Sequence, residues 1–331
     1  MLPLAATVSV LLSLILYALM GGADFGAGMW DLLASGPRTA RQRQAIADAI
    51  APIWEANHVW LILVVVVLFT GFPTGFAAMM TALNIPVTVM LIGIVLRGSA
   101  FIFRSYDSRS DAVQRWGSVF GIASFIAPFF QGVILGALAT GQIRVANGQV
   151  TTGFFAGWLT LFALACGVFA LGLFAFLAAT YLTLDTKNQA DLQNDFRLRA
   201  IGSGLALAPV AGVVFLAARQ GAPEIFRGLT QWWAPVLLGA TGSCAVGALV
   251  ALWWRRFALA RVAAAGEVTL ILVGWSLAQY PNLVTPDVTI ANARAPEATL
   301  RLLILALAAG ALVLLPSLVF LFRLFKGDKR R

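Results

Sequence analysis

The chain has 331 residues, of which 60% are hydrophobic and only 11% charged, with a net charge of +9. Apolar runs of about 20 residues recur along it, each long enough to cross a bilayer, which excludes a separate soluble catalytic domain and leaves one polytopic membrane domain over 1–331. The positive charge falls in short segments between these runs and forms no long basic face, so nucleic acid is not an expected partner.

Nine spans are predicted, at about 3–34, 48–72, 77–103, 116–140, 154–183, 200–218, 232–254, 261–280 and 300–324, making the fold class an all-α integral membrane protein. The first lacks a positive n-region and stays apolar beyond the length of a signal-peptide core, so it is expected to remain as a helix. It carries Ala18, Gly22 and Gly26 at four-residue spacing, a stripe that admits close approach of another backbone, with Asp24 inside the seam. The second span opens on IAPIWEANHVWLI (residues 50–62), which brings Glu55, Asn57 and the single histidine, His58, into an apolar run. The third contributes Asn84 and Arg97. Cys166 and Cys244 lie in later spans without paired spacing and read as small packing residues. Glu267, near the start of the eighth span, is expected to be a wetted or paired end residue.

Basic residues set the threading. Arg38, Arg41, Arg43, Arg104, Arg109, Arg115, Lys187, Arg197, Arg199, Arg255, Arg256, Arg261 and the tail from Arg323 fall on one side; Arg144, Arg219, Arg227, Arg294 and Arg301 fall on the other. The positive-inside rule places the N-terminus outside and the C-terminus in the cytoplasm, as an odd number of spans requires. Asp24, Glu55, His58 and Arg97 then share the cytoplasmic half of the bilayer. An ionisable side chain near the bilayer centre costs about 2.5–3.5 kcal/mol on insertion scales, so such residues mark charge or proton movement or are paired. Glu55 and His58, three apart, are expected on neighbouring points of one helix face. Arg97 either neutralises an acid in a buried pair or joins the working site, and His58 either handles protons or packs. One histidine and two separated cysteines supply axial ligands for at most one haem, through His58.

Three ordered segments carry a resemblance: GGADFGAGM (21–29), IAPIWEANHVWLI (50–62) and LRGSAFIFRS (96–105), joined by the late outer segment QYPNLVTPD (279–287). Together they resemble subunit II of the cytochrome bd quinol oxidase family, in its shorter, cyanide-insensitive-oxidase-like members. The resemblance implies two four-helix bundles plus one peripheral helix, set beside a haem-bearing subunit I that carries haem b and haem d, in the bacterial cytoplasmic (inner) membrane. It implies that this chain supports a quinol:O2 oxidoreductase without being catalytic alone, and contributes acids to a cytoplasmic proton route. Residue by residue, Asp24 matches the acid of the Asp-Phe-Gly-x-Gly pattern and Glu55 that of the Trp-acid-x-Asn pattern, with Trp54, Asn57 and Trp60 as matched neighbours. The family often has aspartate where this chain has Glu55, and the position of His58 varies, so His58 belongs to the proton pathway on the weaker ground of adjacency. A small accessory membrane subunit, and a quinone or lipid held in a groove of this chain, are compatible with the resemblance. A secondary transporter using Asp24, Glu55 and Arg97 is the rival reading; the later half has no counterpart to that constellation, which weighs against it. A purely structural subunit with silent acids is the third.

Overall fold

The computed structural model describes residues 1–52, 54–106 and 109–326. The basic residues of the tail beyond 326 lie outside the described residues. Helices dominate: α1 (Leu2–Leu32), α2 (Thr39–Ile50), α3 (Trp54–Asn57), α4 (Val59–Gly71), α5 (Pro73–Ala82), α6 (Asn84–Tyr106), α7 (Ser110–Ala139), α8 (Leu161–Asp185), α9 (Ala190–Gly221), α10 (Pro223–Gly228), α11 (Ala234–Trp253), α12 (Phe257–Gln279), α13 (Ile290–Ala293) and α14 (Glu297–Lys326). Two short antiparallel pairs accompany them: β1 (Val145–Ala146) with β2 (Gln149–Val150), and β3 (Asn282–Val284) with β4 (Val288–Thr289). Among the described residues, nine helical segments are long and apolar enough to cross a membrane, α3 and α4 together forming one of them. This matches the predicted number of spans, and the chain is a multi-pass membrane protein.

Several boundaries differ from expectation, three of them for plain local reasons. The second span does not run from 48: Pro52, which lacks an N–H and disfavours helical geometry in the residue before it, separates α2 from the span. The polar helix α2 instead lies against the rest of the chain through Ile46 and Ile50, which are 1% and 2% exposed. The third span begins later, because α5 is a separate ten-residue helix started by Pro73. The sixth extends as α9 well before residue 200; its first turns are polar and are held by α2, so composition marked the apolar part of the helix rather than its length.

At the centre, α8 packs against α7, α9, α1 and α12, while α6 lies along α7 and α14 touches α1 and α4. The small-residue seam of α1 faces α8. A Cβ added at Gly26 would run into the backbone carbonyl of Phe174, and one at Gly22 into the Phe174 ring. Trp30 Nε1 donates to the carbonyl of Ala175 at 2.8 Å, securing the same helix pair. Without a hydrophobic driving force between helices in lipid, such close contact and interhelical hydrogen bonding hold the seam.

The two ends are fastened separately. On the side assigned to the cytoplasm, Arg38 makes a two-pronged pair with Asp195 at 2.8 and 2.6 Å, Arg41 pairs with Asp191, and Gln42 donates to Asp195 at 2.8 Å. At the opposite end, Arg144 holds Asp287 through contacts of 2.7 and 3.0 Å, and the Thr285 amide donates to the carbonyl of Leu138 at 3.0 Å.

Candidate functional site

The membrane-embedded polar residues converge on α1. Asp24 is 5% exposed and Asn57, at the end of α3, is 1% exposed; Asn57 Nδ2 donates to Asp24 Oδ2 at 2.7 Å. The break after α2 is what permits this contact, because it returns α3 beside the middle of α1 instead of continuing the line of α2. Arg97, on α6, is 2% exposed and donates from Nη2 to the backbone carbonyl of Asp24 at 3.1 Å. Its guanidinium also lies 5.0 Å from the Phe25 ring centroid and 5.1 Å from that of Phe120, a cation–π setting that offsets part of its lost hydration. An acid, an amide and a guanidinium from three segments thus share one buried site, and the opposite formal charges of Asp24 and Arg97 bring its balance near neutral.

His58 follows α3 at the turn into α4. Its ring is surrounded by Tyr17, Phe25 and Trp54, with centroids 5.8, 5.8 and 6.3 Å away. His58 Nδ1 is buried and makes no hydrogen bond among the described residues. Glu55 differs from the sequence expectation: its side chain is exposed on the surface of the chain, whereas the His58 ring turns inward. Helix α3 ends at Asn57, and the backbone turns on from there with the His58 amide donating to the Glu55 carbonyl at 3.2 Å. Trp54 packs against Phe101 as well as His58, and Trp60, 6% exposed, lies in the core with Tyr17, Ala18 and Leu177. Both tryptophans shape the walls of the site.

Asn84 and Glu267 are the other polar residues singled out by the sequence. Asn84 starts α6, thirteen residues from Arg97 and so about 20 Å away along the helix axis, and does not join the cluster. Glu267 is not a wetted end residue: it is 6% exposed, and its Oε2 makes no hydrogen bond among the described residues. Ala260 and Ala264, both 0% exposed, occupy the same inward helix face at spacings of seven and three from it, a pattern that points Glu267 into the packing.

The sequence reading missed several partners. Tyr17 accepts a hydrogen bond from Gln131 Nε2 at 2.9 Å and borders His58. Asp31, 2% exposed, pairs with Arg104 at 2.8 Å, while Arg43 Nε donates to its backbone carbonyl at 3.2 Å. A crevice of about 70 Å3 also reaches Asp24 and Asn57 from the α8 and α12 side, lined there by Tyr181, Asp185 and Arg261. Aspartates at helix ends gave no signal of these contacts, which depend on which helices become neighbours.

Among the described residues no three His, Cys, Asp or Glu side chains gather to hold a metal ion, and Cys166 and Cys244 are both free. The His58 ring is bordered by three aromatic rings.

Comparison with known proteins agrees along the chain. Residues 2–325 match the family described as cytochrome bd terminal oxidase subunit II. A relative from Bacillus subtilis (strain 168), "Putative cytochrome bd menaquinol oxidase subunit II", is 25% identical over 326 residues, covering 95% of this chain and 93% of its own length. The cytochrome bd-I ubiquinol oxidase subunit 2 of Escherichia coli (strain K12) is 30% identical over 183 residues, covering 54% of this chain and 48% of that protein. In architecture, a chain of the bd oxidase from Geobacillus thermodenitrificans superposes with a TM-score of 0.77 at 22% identity, covering 99% of both chains. With its family matched over nearly its entire length, the chain belongs to the cytochrome bd terminal oxidase subunit II family.

Proposed function

We propose that this chain is the haem-free subunit II of a quinol:O2 oxidoreductase in the bacterial cytoplasmic membrane, and that it conducts cytoplasmic protons toward the oxygen-reducing centre through Asp24, with Glu55 and His58 as further members of the route. The observation that carries this reading is the buried Asp24, held by Asn57 and faced by Arg97. Reduction of oxygen inside a membrane consumes protons, and a fixed carboxyl lowers the barrier to moving them through a low-dielectric interior. The partner subunit I carries the haems, which supply the electron transfer and oxygen chemistry. Asn57 orients the Asp24 carboxylate, Arg97 balances its charge, and Trp54 and Trp60 exclude lipid. Glu55, exposed on this chain, is suited to collecting protons, and His58 Nδ1 offers a buried hydrogen-bonding atom next to Asn57. The helices group as α1, α4, α6 and α7 in one bundle and α8, α9, α11 and α12 in the other, with α14 peripheral, in one membrane domain. A small accessory subunit and a bound quinone or lipid complete the expected assembly. The family match disfavours the transporter reading.

The test is oxygen uptake and proton uptake by the purified complex, with assembly verified by its haem spectrum. Asp24→Asn is expected to slow both by about tenfold or more. Glu55→Gln is expected to slow proton uptake by a smaller factor. Unchanged rates for Asp24→Asn in an assembled complex would leave the acids silent and this chain a structural subunit.

A further inference from the structure

Glu55 is the motif acid on the exposed surface, yet Asp24 has a second approach that does not pass Glu55 or His58. The crevice of about 70 Å3 lies between α1, α2, α8 and α12 and joins Asp24 and Asn57 to Tyr181, Asp185 and Arg261. Its volume has room for a few water molecules. Gly26 of α1 is in contact with Ala178 of α8, and Asp185 lies seven residues farther along α8, about 10 Å toward the cytoplasmic end. Asp185 is exposed, Tyr181 is half-buried, and the Arg261 guanidinium sits 4.4 Å above the Tyr181 ring centroid. At the inner end, Asn57 Oδ1 is buried and accepts no hydrogen bond among the described residues, although the Nδ2 of the same amide is committed to Asp24. A buried amide oxygen with an unused acceptor, lining a crevice with a polar mouth, is suited to accept a hydrogen bond from water.

We infer that this crevice is a cytoplasmic water inlet contained within the subunit, with Asp185 at its mouth, the Tyr181–Arg261 stack as its narrow point and Asn57 as the inner acceptor that hands the water file to Asp24. The inference rests on the proton-delivery reading of Asp24. A proton enters from bulk water at Asp185, passes along the waters, and is taken up by the Asp24 carboxylate; no bond other than O–H bonds changes.

The test uses the intact oxidase complex in inverted and right-side-out membrane vesicles. Ala23→Cys and, independently, Ala49→Cys place a thiol on the crevice wall, and a charged, membrane-impermeant thiosulfonate reports water access; the unsubstituted chain, with Cys166 and Cys244, sets the background. The expected result is modification from the cytoplasmic side only, with loss of quinol-driven proton uptake after modification, and slowed uptake for Asp185→Asn. If neither cysteine is modified while Asp24→Asn still slows turnover, the inlet is wrong and delivery through Asp24 by another approach stands. If Asp24→Asn leaves proton uptake intact in an assembled complex, delivery through Asp24 fails and the inlet fails with it.

Discussion

The central helices α7 and α8 and the later helices α9, α11 and α14 are packed to different degrees. Over their most apolar stretches, 56% of the residues of the α7 span and 44% of the α8 span are buried within the chain, against 11% for α9, 17% for α11 and 6% for α14. All five segments are similarly apolar, so hydropathy does not produce the difference. In lipid an exposed leucine carries no penalty, and α14 presents Leu302, Leu305, Leu312 and Val313 outward at no cost. The helices that carry Asp24, Asn57 and Arg97 lie between these extremes, at 28% for α1, 28% for the α3–α4 span and 33% for α6, although those three side chains are themselves 5%, 1% and 2% exposed. In this protein close packing is concentrated in α7 and α8, while α9, α11 and α14 keep most of their apolar side chains on the surface of the chain.

The sharpest way to break that contrast is to place the same side chain in both regions. Gly26→Leu drives a side chain into the Phe174 carbonyl of α8 and is expected to abolish assembly, whereas nothing lies within 4 Å of a Cβ at Gly310 in α14. Gly310→Leu should leave the yield of haem-bearing complex unchanged; equal yields for the two variants would show that the seam is not a special contact. A smaller effect is expected for Asn57→Ala, which removes the donor to Asp24 and should lower thermal stability by about 1–3 kcal/mol while shifting the pH dependence of proton uptake. A normal melting temperature and pH profile would mean that Asn57 does not orient the acid. The smallest effect belongs to the outer loops, remote from both regions. The Arg144 guanidinium beside Asp287 holds its carboxyl below the usual carboxylate range. The pair's contribution is therefore fully present above the unfolded value of about 3.9 and is lost as pH falls through the lower folded value. Limited proteolysis of the outer loops should accelerate as external pH is lowered through that window, and Asp287→Asn should show the faster cleavage already at neutral pH.

Sequence and structure agree most closely where a single physical term dominates. Apolar length alone located all nine spans, and arginine distribution placed the polar loops on sides that the Arg38–Asp195 and Arg144–Asp287 pairs respect. The Gly22 and Gly26 stripe announced a close helix contact, and Phe174 of α8 is the partner it meets. Agreement weakens where a direction depends on a neighbour. Glu55 and His58 are three apart in the sequence, yet the acid is exposed while three aromatic rings border the histidine. Glu267 looked wetted from its position near a span end, and only the helix face it shares with Ala260 and Ala264 reveals its burial. Tyr181, Asp185 and Arg261 carry no motif. Their relation to Asp24 arises because α8 and α12 both pack against α1.

The arginine clasp between α2 and α9 has a consequence in time as well as in space. Arg38 and its partner Asp195 are separated by 157 residues in the chain. At ordinary rates of synthesis, about 5–20 residues per second, α2 emerges on the order of ten seconds before its acids do. During that interval its basic face has only lipid headgroups and water to meet, and an unneutralised cluster of arginines is what keeps a polar helix from being carried across the membrane. When α9 arrives, the same arginines change occupation from anchor to clasp. Replacing them with neutral residues would thus act twice, first on which way the newborn chain faces and later on how firmly its finished end is tied.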